Sequence, residues 1–475
     1  MSGPWRRAAE LRALVDEVAP TRWRHDPAWW GIIGAAALLE PRGRRAGAAY
    51  LVSNAEPSHD TFMALARPGP STRAAWIAWA VSMAHAAVRA IAALDGTLPG
   101  QPLAVTIANQ AGLAAPVPVE ALARVAFAIG DRVWSGRLDP RGPAHDAELA
   151  RALARTLRGQ PSPLVAHGPR PAIVIALGDD DPARAHHGHR RAWDERGGPW
   201  LGVARADGLT VVSTCHLVVD GFGHALLARA IAATAIEPQL LAAAEVACSA
   251  DATDLPPLRC GDGEPLDVAW RRLPPLPGFP QLAYALGRAL HRERGEAGAT
   301  CSPTFQLPVA PGAVDDGGRF AHRVRPALLS VRFSDGRPEP FDGVDGFAAR
   351  AKRAVAREAD GAGLVSRLLV GLAGIPLPTG VRRRVLVGAP SRWAAGPTEL
   401  LAGDGCLSLL RLDHEAPLIA VSAPPPQLPR SRSSSVLTVV RDAGGTTVTL
   451  AAVGPRRAAA LLDEWLALLA DSPRS

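Results

Sequence analysis

The sequence predicts an α+β protein of two lobes, each a two-layer sandwich of sheet and helices, in which two tandem halves form a pseudo-dimer. Its 475 residues are more than one small core accommodates. A proline-rich break runs from 251 to 280, where closely spaced prolines oppose both helix and central strand. A strand followed at once by an amphipathic helix occurs near the end of each half, at 209–234 and at 447–469. We therefore predict one lobe over 1–250, a linker or crossover over 251–280, and a second lobe over 281–475.

The individual elements follow from the spacing of apolar residues. Alternation or short β-rich runs predict strands, and a spacing of 3.6 predicts helices. The strands are expected at 171–177, 209–219, 327–333, 385–387, 436–440 and 447–453, and the helices at 223–234, 347–359 and 455–469. Because strand followed by helix is a common order, a chance likeness of the two halves is the alternative to duplication.

Composition excludes several classes of function. The net charge is +7, but the arginines are scattered among acidic residues without a basic stripe, which argues against nucleic-acid binding. Five cysteines without a Cys-x-x-Cys pair fit a reducing cytoplasm better than a disulfide framework. The apolar stretch 74–94 contains His85 and Arg89, so we interpret it as a core helix, with no membrane span. Arginine, alanine, glycine and proline usage is typical of a GC-rich bacterial genome, and no signal peptide is visible.

One segment carries recognisable chemistry. Residues 214–223 read Thr-Cys-His-Leu-Val-Val-Asp-Gly-Phe-Gly, which has the form His-x-x-x-Asp-Gly at the point where a strand ends and a helix begins. Alternation places His216 on the same strand face as Thr210, Val212 and Thr214. Gly221 lets the chain turn tightly behind it. A histidine near neutral pKa can act as a general base, whereas the structural alternative is a core histidine held by Asp220 at the turn.

This motif resembles that of the CoA-dependent acyltransferases built like chloramphenicol acetyltransferase, which include dihydrolipoyl acyltransferase cores and condensation domains. The resemblance implies that His216 is the catalytic base and that Asp220, followed by Gly221, is structural and holds the loop, usually with an arginine. Cys215 replaces the first histidine of the doubled motif. It also implies that each half has the fold of that acetyltransferase.

A second resemblance lies in the other half of the chain. Residues 403–410, Gly-Asp-Gly-Cys-Leu-Ser-Leu-Leu, resemble the dihydrolipoyl acyltransferase segment in which a hydroxyl stabilises the oxyanion. Ser408 is the first candidate for that role and Cys406 an inferior donor, while the alternative is that Ser408 is an ordinary strand residue. The second strand–helix unit has Ala-Ala-Val-Gly at 451–454 in place of the motif, which predicts one active site per chain.

The resemblance also limits cofactors and partners. The thioester substrate is an acyl-CoA or an acyl-carrier protein, and the acceptor is a hydroxyl, amine or thiol. Lys352 lacks a lipoyl setting, so we expect no covalently bound lipoate or phosphopantetheine. The histidines at 186, 187 and 189 lie in a polar segment and are interpreted as a solvated loop rather than a metal site. CoA-binding residues and the oligomeric state stay open, a monomer being compatible. The alternative function is a catalytically silent relative that binds or assembles with partners.

Overall fold

The computed structural model describes residues 3–18, 27–45, 60–67, 69–95, 123–166, 173–180, 201–215, 221–248, 255, 267–294, 304–309, 325–333, 340, 342–376, 405–413, 415–423, 434–453 and 457–471.

The first lobe is built on an eight-stranded sheet with its helices on one face. Its strands are β1 (Asp60–Ala66), β2 (Arg124–Ile129), β3 (Arg132–Arg137), β4 (Val165–Ala166), β5 (Ile173–Asp180), β6 (Leu201–Ala206), β7 (Leu209–Cys215) and β12 (Ile419–Ala423), in the order β12-β1-β7-β6-β5-β2-β3-β4. Its helices are α3 (Arg73–Asp95), α4 (Ala147–Leu157), α5 (Gly221–Ala232) and α6 (Pro238–Ala247), with a 3-10 turn at Pro143–His145.

The second lobe is built on a six-stranded sheet. Its strands are β8 (Asp267–Leu273), β9 (Thr304–Val309), β10 (Arg325–Ser330), β11 (Gly405–Arg411), β13 (Ser434–Asp442) and β14 (Gly445–Val453), in the order β10-β9-β11-β13-β14-β8. Its helices are α1 (Pro4–Val18), α2 (Pro27–Arg45), α7 (Phe279–Arg294), α8 (Val344–Ala359), α9 (Leu364–Ala373) and α10 (Ala458–Ala470).

Strand pairing shows that the two sheets are versions of one topology. The series β1-β7-β6-β5-β2-β3 is joined by antiparallel, antiparallel, parallel, parallel and antiparallel pairs. The series β8-β14-β13-β11-β9-β10 has the same five pair types in the same order. The predicted strand–helix repeat is therefore confirmed, as β7–α5 in the first lobe and β14–α10 in the second, and so is the α+β fold of two lobes.

Helices α1 and α2 come first in the chain but pack in the second lobe. Leu11 and Ile33 belong to the same buried core as Trp465 of α10. Helix α2 contacts α9 at backbone distance: a Cβ added to Gly371 would lie 2.6 Å from the Cα of Ala36. Glycine is needed there because any side chain would push the two helices apart.

A buried ionic group fixes the same contact. Arg367 of α9 donates through Nη2 to Oε2 of Glu40 at 2.8 Å, and Arg44 donates through Nη2 to Oε1 of Glu40 at 2.6 Å. Burial by itself would raise the pKa of Glu40, but the hydrogen bonds from both guanidinium groups hold it below its usual value. The N-terminal helices are thus tied to the second lobe by a buried carboxylate that stays ionised.

Strand β12 comes from the second half of the chain but belongs to the sheet of the first lobe. It lies between β11 and β13 in the chain, yet it pairs antiparallel with β1 at the edge of the first sheet, with Phe62 opposite Val421. Its Ala420 amide donates to Thr449 Oγ1 of β14 at 3.1 Å. A third buried core lies between the lobes, where Phe62 and Val421 meet Ala451 of β14.

Helix α3 is the core helix that the sequence predicts. Over Arg73–Ile91 it is long and apolar enough to cross a membrane, but 83% of that stretch is buried inside the protein. His85 of this helix pairs with Asp146, which precedes α4, and both side chains are buried. The helix therefore serves as the main packing element of the first sheet.

The predicted limits of the lobes, 1–250, 251–280 and 281–475, stay a prediction. Within the proline-rich break, β8 forms between Pro265 and Pro274, since its seven residues contain no proline and it occupies an edge of the second sheet. Residues 385–387, expected as a strand, lie outside the described residues.

Candidate active site

The candidate site is the junction between β7 and α5. Strand β7 ends at Cys215 and α5 begins at Gly221, as the motif requires. The strand lies inside the first sheet, antiparallel to β1 on one side and β6 on the other. The candidate base His216 and the candidate structural Asp220 lie outside the described residues, so their roles stay predictions.

The predicted alternation along β7 is confirmed for the described residues. Val212 belongs to the core beneath the helices, and Val211 belongs to the core between the lobes. Thr210 and Thr214 are both buried. Thr210 Oγ1 accepts a hydrogen bond from Arg205 Nη1 at 3.0 Å, whereas Thr214 Oγ1 has no partner among the described residues.

His224 fastens the start of α5 to β7, a role that sequence reasoning did not identify. Its imidazole is fully buried, and Nε2 lies 2.8 Å from the carbonyl oxygen of Val212. A carbonyl only accepts, so Nε2 carries the proton and Nδ1 is the unprotonated nitrogen. Burial lowers the pKa of His224 to about 4, against the opposing effect of the Val212 hydrogen bond. The available signal was a histidine in the first turn of the helix, on its apolar side.

Ser408 lies on β11, on the face of the second sheet turned away from its helices. Leu407 and Leu409 face the helical core, so alternation directs Ser408 and Cys406 to the opposite face. Ser408 is half-buried, and burial raises the pKa of the Cys406 thiol to about 12. A neutral thiol is a weak donor, which favours Ser408 of the two.

Ser408 belongs to a line of hydroxyl groups that crosses three strands. It is in register with Thr438 of β13, and Thr438 is in register with Thr449 of β14. We call Ser408, Thr438 and Thr449 the hydroxyl row. Sequence analysis identified the first member only, because the other two look like ordinary strand threonines until the register is known.

The structure thus describes the strands and the helix next to both predicted site segments, but it does not describe a contact between His216 and Ser408. Gly221 and Ser408 are described, and His216 and Asp220 are not, so the pairing of His216 with Ser408 stays a prediction. In the described part of the chain, no group of three or more His, Cys, Asp or Glu side chains is placed to hold a metal ion. The histidines at 186, 187 and 189 lie outside it.

No protein-family model matches the sequence, and no curated protein matches it. Solved structures similar to this chain include the starter condensation domain of rhizomide synthetase RzmA, at 12% identity over 91% of this chain and 94% of that one, with a TM-score of 0.35. Another concerns condensation domain-mediated chain release from the enacyloxin polyketide synthase, at 14% identity over 100% and 97%, with a TM-score of 0.35. A third is the condensation domain of Monacolin K polyketide synthase MokA, at 12% identity over 90% and 95%, with a TM-score of 0.37.

The two lobes and the internal repeat described above depend on the strand pairing of this chain alone.

Proposed function

We propose that the protein is an acyltransferase that moves an acyl group from a CoA or carrier-protein thioester to a hydroxyl, amine or thiol. The observation that carries the proposal is the His-x-x-x-Asp-Gly motif at a strand-to-helix junction. The described strand ends at Cys215 and the described helix begins at Gly221, which supports the motif's required setting.

In the proposed reaction His216 takes the proton from the attacking group as that group bonds to the thioester carbon. The carbonyl oxygen then carries the negative charge, and Ser408 donates a hydrogen bond to it. When the intermediate collapses, the C–S bond breaks and the leaving thiolate receives the proton from His216. Asp220 acts as scaffold for the loop and takes no part in proton transfer.

The test measures thiol release from acetyl-CoA and longer acyl-CoAs over a panel of alcohols and amines, with a melting temperature for each variant. His216→Ala should lower turnover by about 10²–10⁴-fold at an unchanged melting temperature. His145→Ala, at an exposed histidine of the 3-10 turn, is the matched control and should change neither quantity. Ser408→Ala should lower turnover less than His216→Ala, because backbone donors can share the oxyanion.

Asp220→Asn separates scaffold from chemistry. If Asp220 is buried and paired with an arginine, its neutralisation leaves the partner charge uncompensated at a cost of about 3–5 kcal/mol. That variant should therefore lose stability together with turnover. If His216→Ala instead unfolds the protein and spares turnover in the folded remainder, the histidine is structural, and the catalytically silent relative is the correct alternative.

A further inference from the structure

The hydroxyl row lies on the face of the second sheet that is turned toward the first lobe. On β13, Leu437 and Val439 enter the helical core of the second lobe, so Thr438 between them points the other way. Two residues farther along the same face, Val440 is buried in the core of the first lobe. Thr438 therefore lies where the two lobes approach each other.

The side chains of the hydroxyl row become more exposed to solvent from Thr449 to Ser408. Thr449 is 1% exposed, and its hydroxyl accepts the Ala420 amide of β12, which covers this end. Thr438 is 7% exposed, and Ser408 is half-buried. Access to the row is therefore from the β11 side, past Ser408.

Thr438 is the member whose hydroxyl is not used by the fold. Its Oγ1 is buried and has no hydrogen-bond partner among the residues that the structure describes, in contrast to Thr449 beside it. A buried hydroxyl without a partner destabilises the folded state, so its presence requires an explanation. Since Thr438 is in register with Ser408, one small acceptor atom could lie between the two hydroxyl groups.

The internal repeat shows that the fold does not need hydroxyls at these places. The β6–β7 hairpin of the first lobe corresponds to the β13–β14 hairpin of the second, so their residues can be matched by counting pairs from each turn. Thr438 then corresponds to Gly202, and Ser408, which pairs with Thr438, corresponds to Val174, which pairs with Gly202. Val174 is part of the apolar core between the lobes. The same topology is thus built in the first lobe with an apolar side chain and with no side chain.

We propose that Thr438 and Ser408 together bind the acyl carbonyl oxygen of the thioester substrate, an inference that rests on the proposed acyl transfer. When the acceptor atom bonds to the carbonyl carbon, the π electrons move to the oxygen and the acceptor's proton moves to His216. Both hydroxyls donate to that oxygen while it is charged. They release it when the carbonyl re-forms, the C–S bond breaks, and the thiolate takes the proton from His216.

The chain offers a matched control. Thr446 of β14 is also a buried threonine whose Oγ1 has no partner in the described part of the chain, but it lies on the opposite, helical face of the same sheet. Thr438→Val and Thr446→Val each replace a hydroxyl by a methyl group of similar size. Both variants should melt at the same or a higher temperature than the wild type, because each loses an unsatisfied buried polar group.

The two variants should differ in catalysis. We expect Thr438→Val to raise KM and to lower kcat by about 10-fold or more, because the hydroxyl donates to the carbonyl oxygen of the bound substrate and more strongly to the developing oxyanion, where one donor is typically worth about 10²–10³-fold and two hydroxyls share the oxygen here. Thr446→Val should keep wild-type kcat, and Thr438→Ser, which keeps the hydroxyl, should recover most of the loss. Wild-type kcat in Thr438→Val would overturn the inference while leaving the acyltransferase proposal in place.

A binding measurement separates the inference from the proposed function. The probe is a ketone analogue of acetyl-CoA, in which a methylene group between sulfur and carbonyl prevents transfer. We expect Thr438→Val to raise its Kd by about 10-fold and Thr446→Val to leave it unchanged, since a lost hydrogen bond of about 1.4 kcal/mol corresponds to a factor of ten. If the wild type binds the analogue but turns over no thioester, the function fails and this Kd comparison alone decides the inference. If the analogue does not bind to the wild type, the inference is wrong.

Discussion

His224 should make the stability of the protein depend on pH in a predictable window. The unfolded histidine has the usual pKa of 6.5, and burial lowers the pKa of the folded one to about 4. Between pH 6.5 and about 4 the unfolded chain therefore binds a proton at His224 that the folded chain does not bind. Stability that is complete above pH 6.5 is lost as the pH falls toward 4, and this loss ends below the folded pKa.

The size of the effect follows from the same two values. Each pKa unit corresponds to about 1.4 kcal/mol, so a fall from 6.5 to about 4 amounts to about 3 kcal/mol for this one group. The slope inside the window is about 1.4 kcal/mol per pH unit. Protonation at Nδ1 leaves the hydrogen bond from Nε2 to the Val212 carbonyl in place, so the cost is that of a charged ring buried at the junction of α5 and β7.

The assay is urea denaturation at half-unit steps from pH 4 to pH 8, on the wild type and on His224→Gln. The glutamine amide retains a donor for the Val212 carbonyl but does not titrate, so the slope between pH 4 and 6.5 should become shallower. The control is His145→Gln, which makes the same replacement at an exposed position away from the junction of β7 and α5. Parallel profiles for His224→Gln and the wild type would refute the reasoning, because another group would then cause the acid loss.

Two further substitutions test packing at named contacts. Gly371→Ala places a Cβ 2.6 Å from the Cα of Ala36 and should cost about 1–3 kcal/mol in the unfolding free energy. Gly346→Ala, on an exposed helical turn where the nearest atom would lie at 3.6 Å, should instead stabilise by up to about 1 kcal/mol. Glu358→Gln should lower the urea midpoint at a cost of about 1–3 kcal/mol. Each Glu358 oxygen accepts a backbone amide at the start of α9, and one also accepts Ser366 Oγ at 2.7 Å, so an NH₂ group would face a donor in either orientation.

Strands and helices whose pattern lies within a short stretch of sequence were predicted from that pattern. The strand expected at 447–453 is Gly445–Val453, and the helix expected at 347–359 is Val344–Ala359. Alternation and helical spacing are properties of short stretches, so the sequence contains them in readable form. The strand predicted over 209–219 is observed as far as Cys215, and the residues after it are not described.

Partnerships over long distances were not predictable in the same way. Helix α2 has an apolar stretch at 29–39, but nothing in its own pattern says that it will pack on α9, more than 300 residues later. The decisive features are Gly371 facing Ala36 and the ionic contact between Glu40 and Arg367. Each depends on two distant positions, and either position alone is an ordinary helical residue.

In the candidate site, too, residues within short motifs were predicted from the sequence, and residues that depend on distant contacts were not. His216 and Ser408 were candidates because short motifs surround them, whereas Thr438 became visible only through its register with Ser408 and its unused hydroxyl. His224 was equally hidden, since a histidine on the apolar side of a helix does not reveal the carbonyl it contacts.

The internal repeat also explains why one active site per chain is expected. Counting from the hairpin turns, Cys215 corresponds to Ala451 and His216 corresponds to Ala452. Ala451 is buried between the lobes, and Ala452 is buried in the core of the second lobe at 2% exposure. A histidine in place of Ala452 would need space that the helical core already fills, because protein interiors leave few voids. The chain therefore contains two copies of the strand–helix frame, and packing in the second copy occupies the position that a catalytic side chain would need.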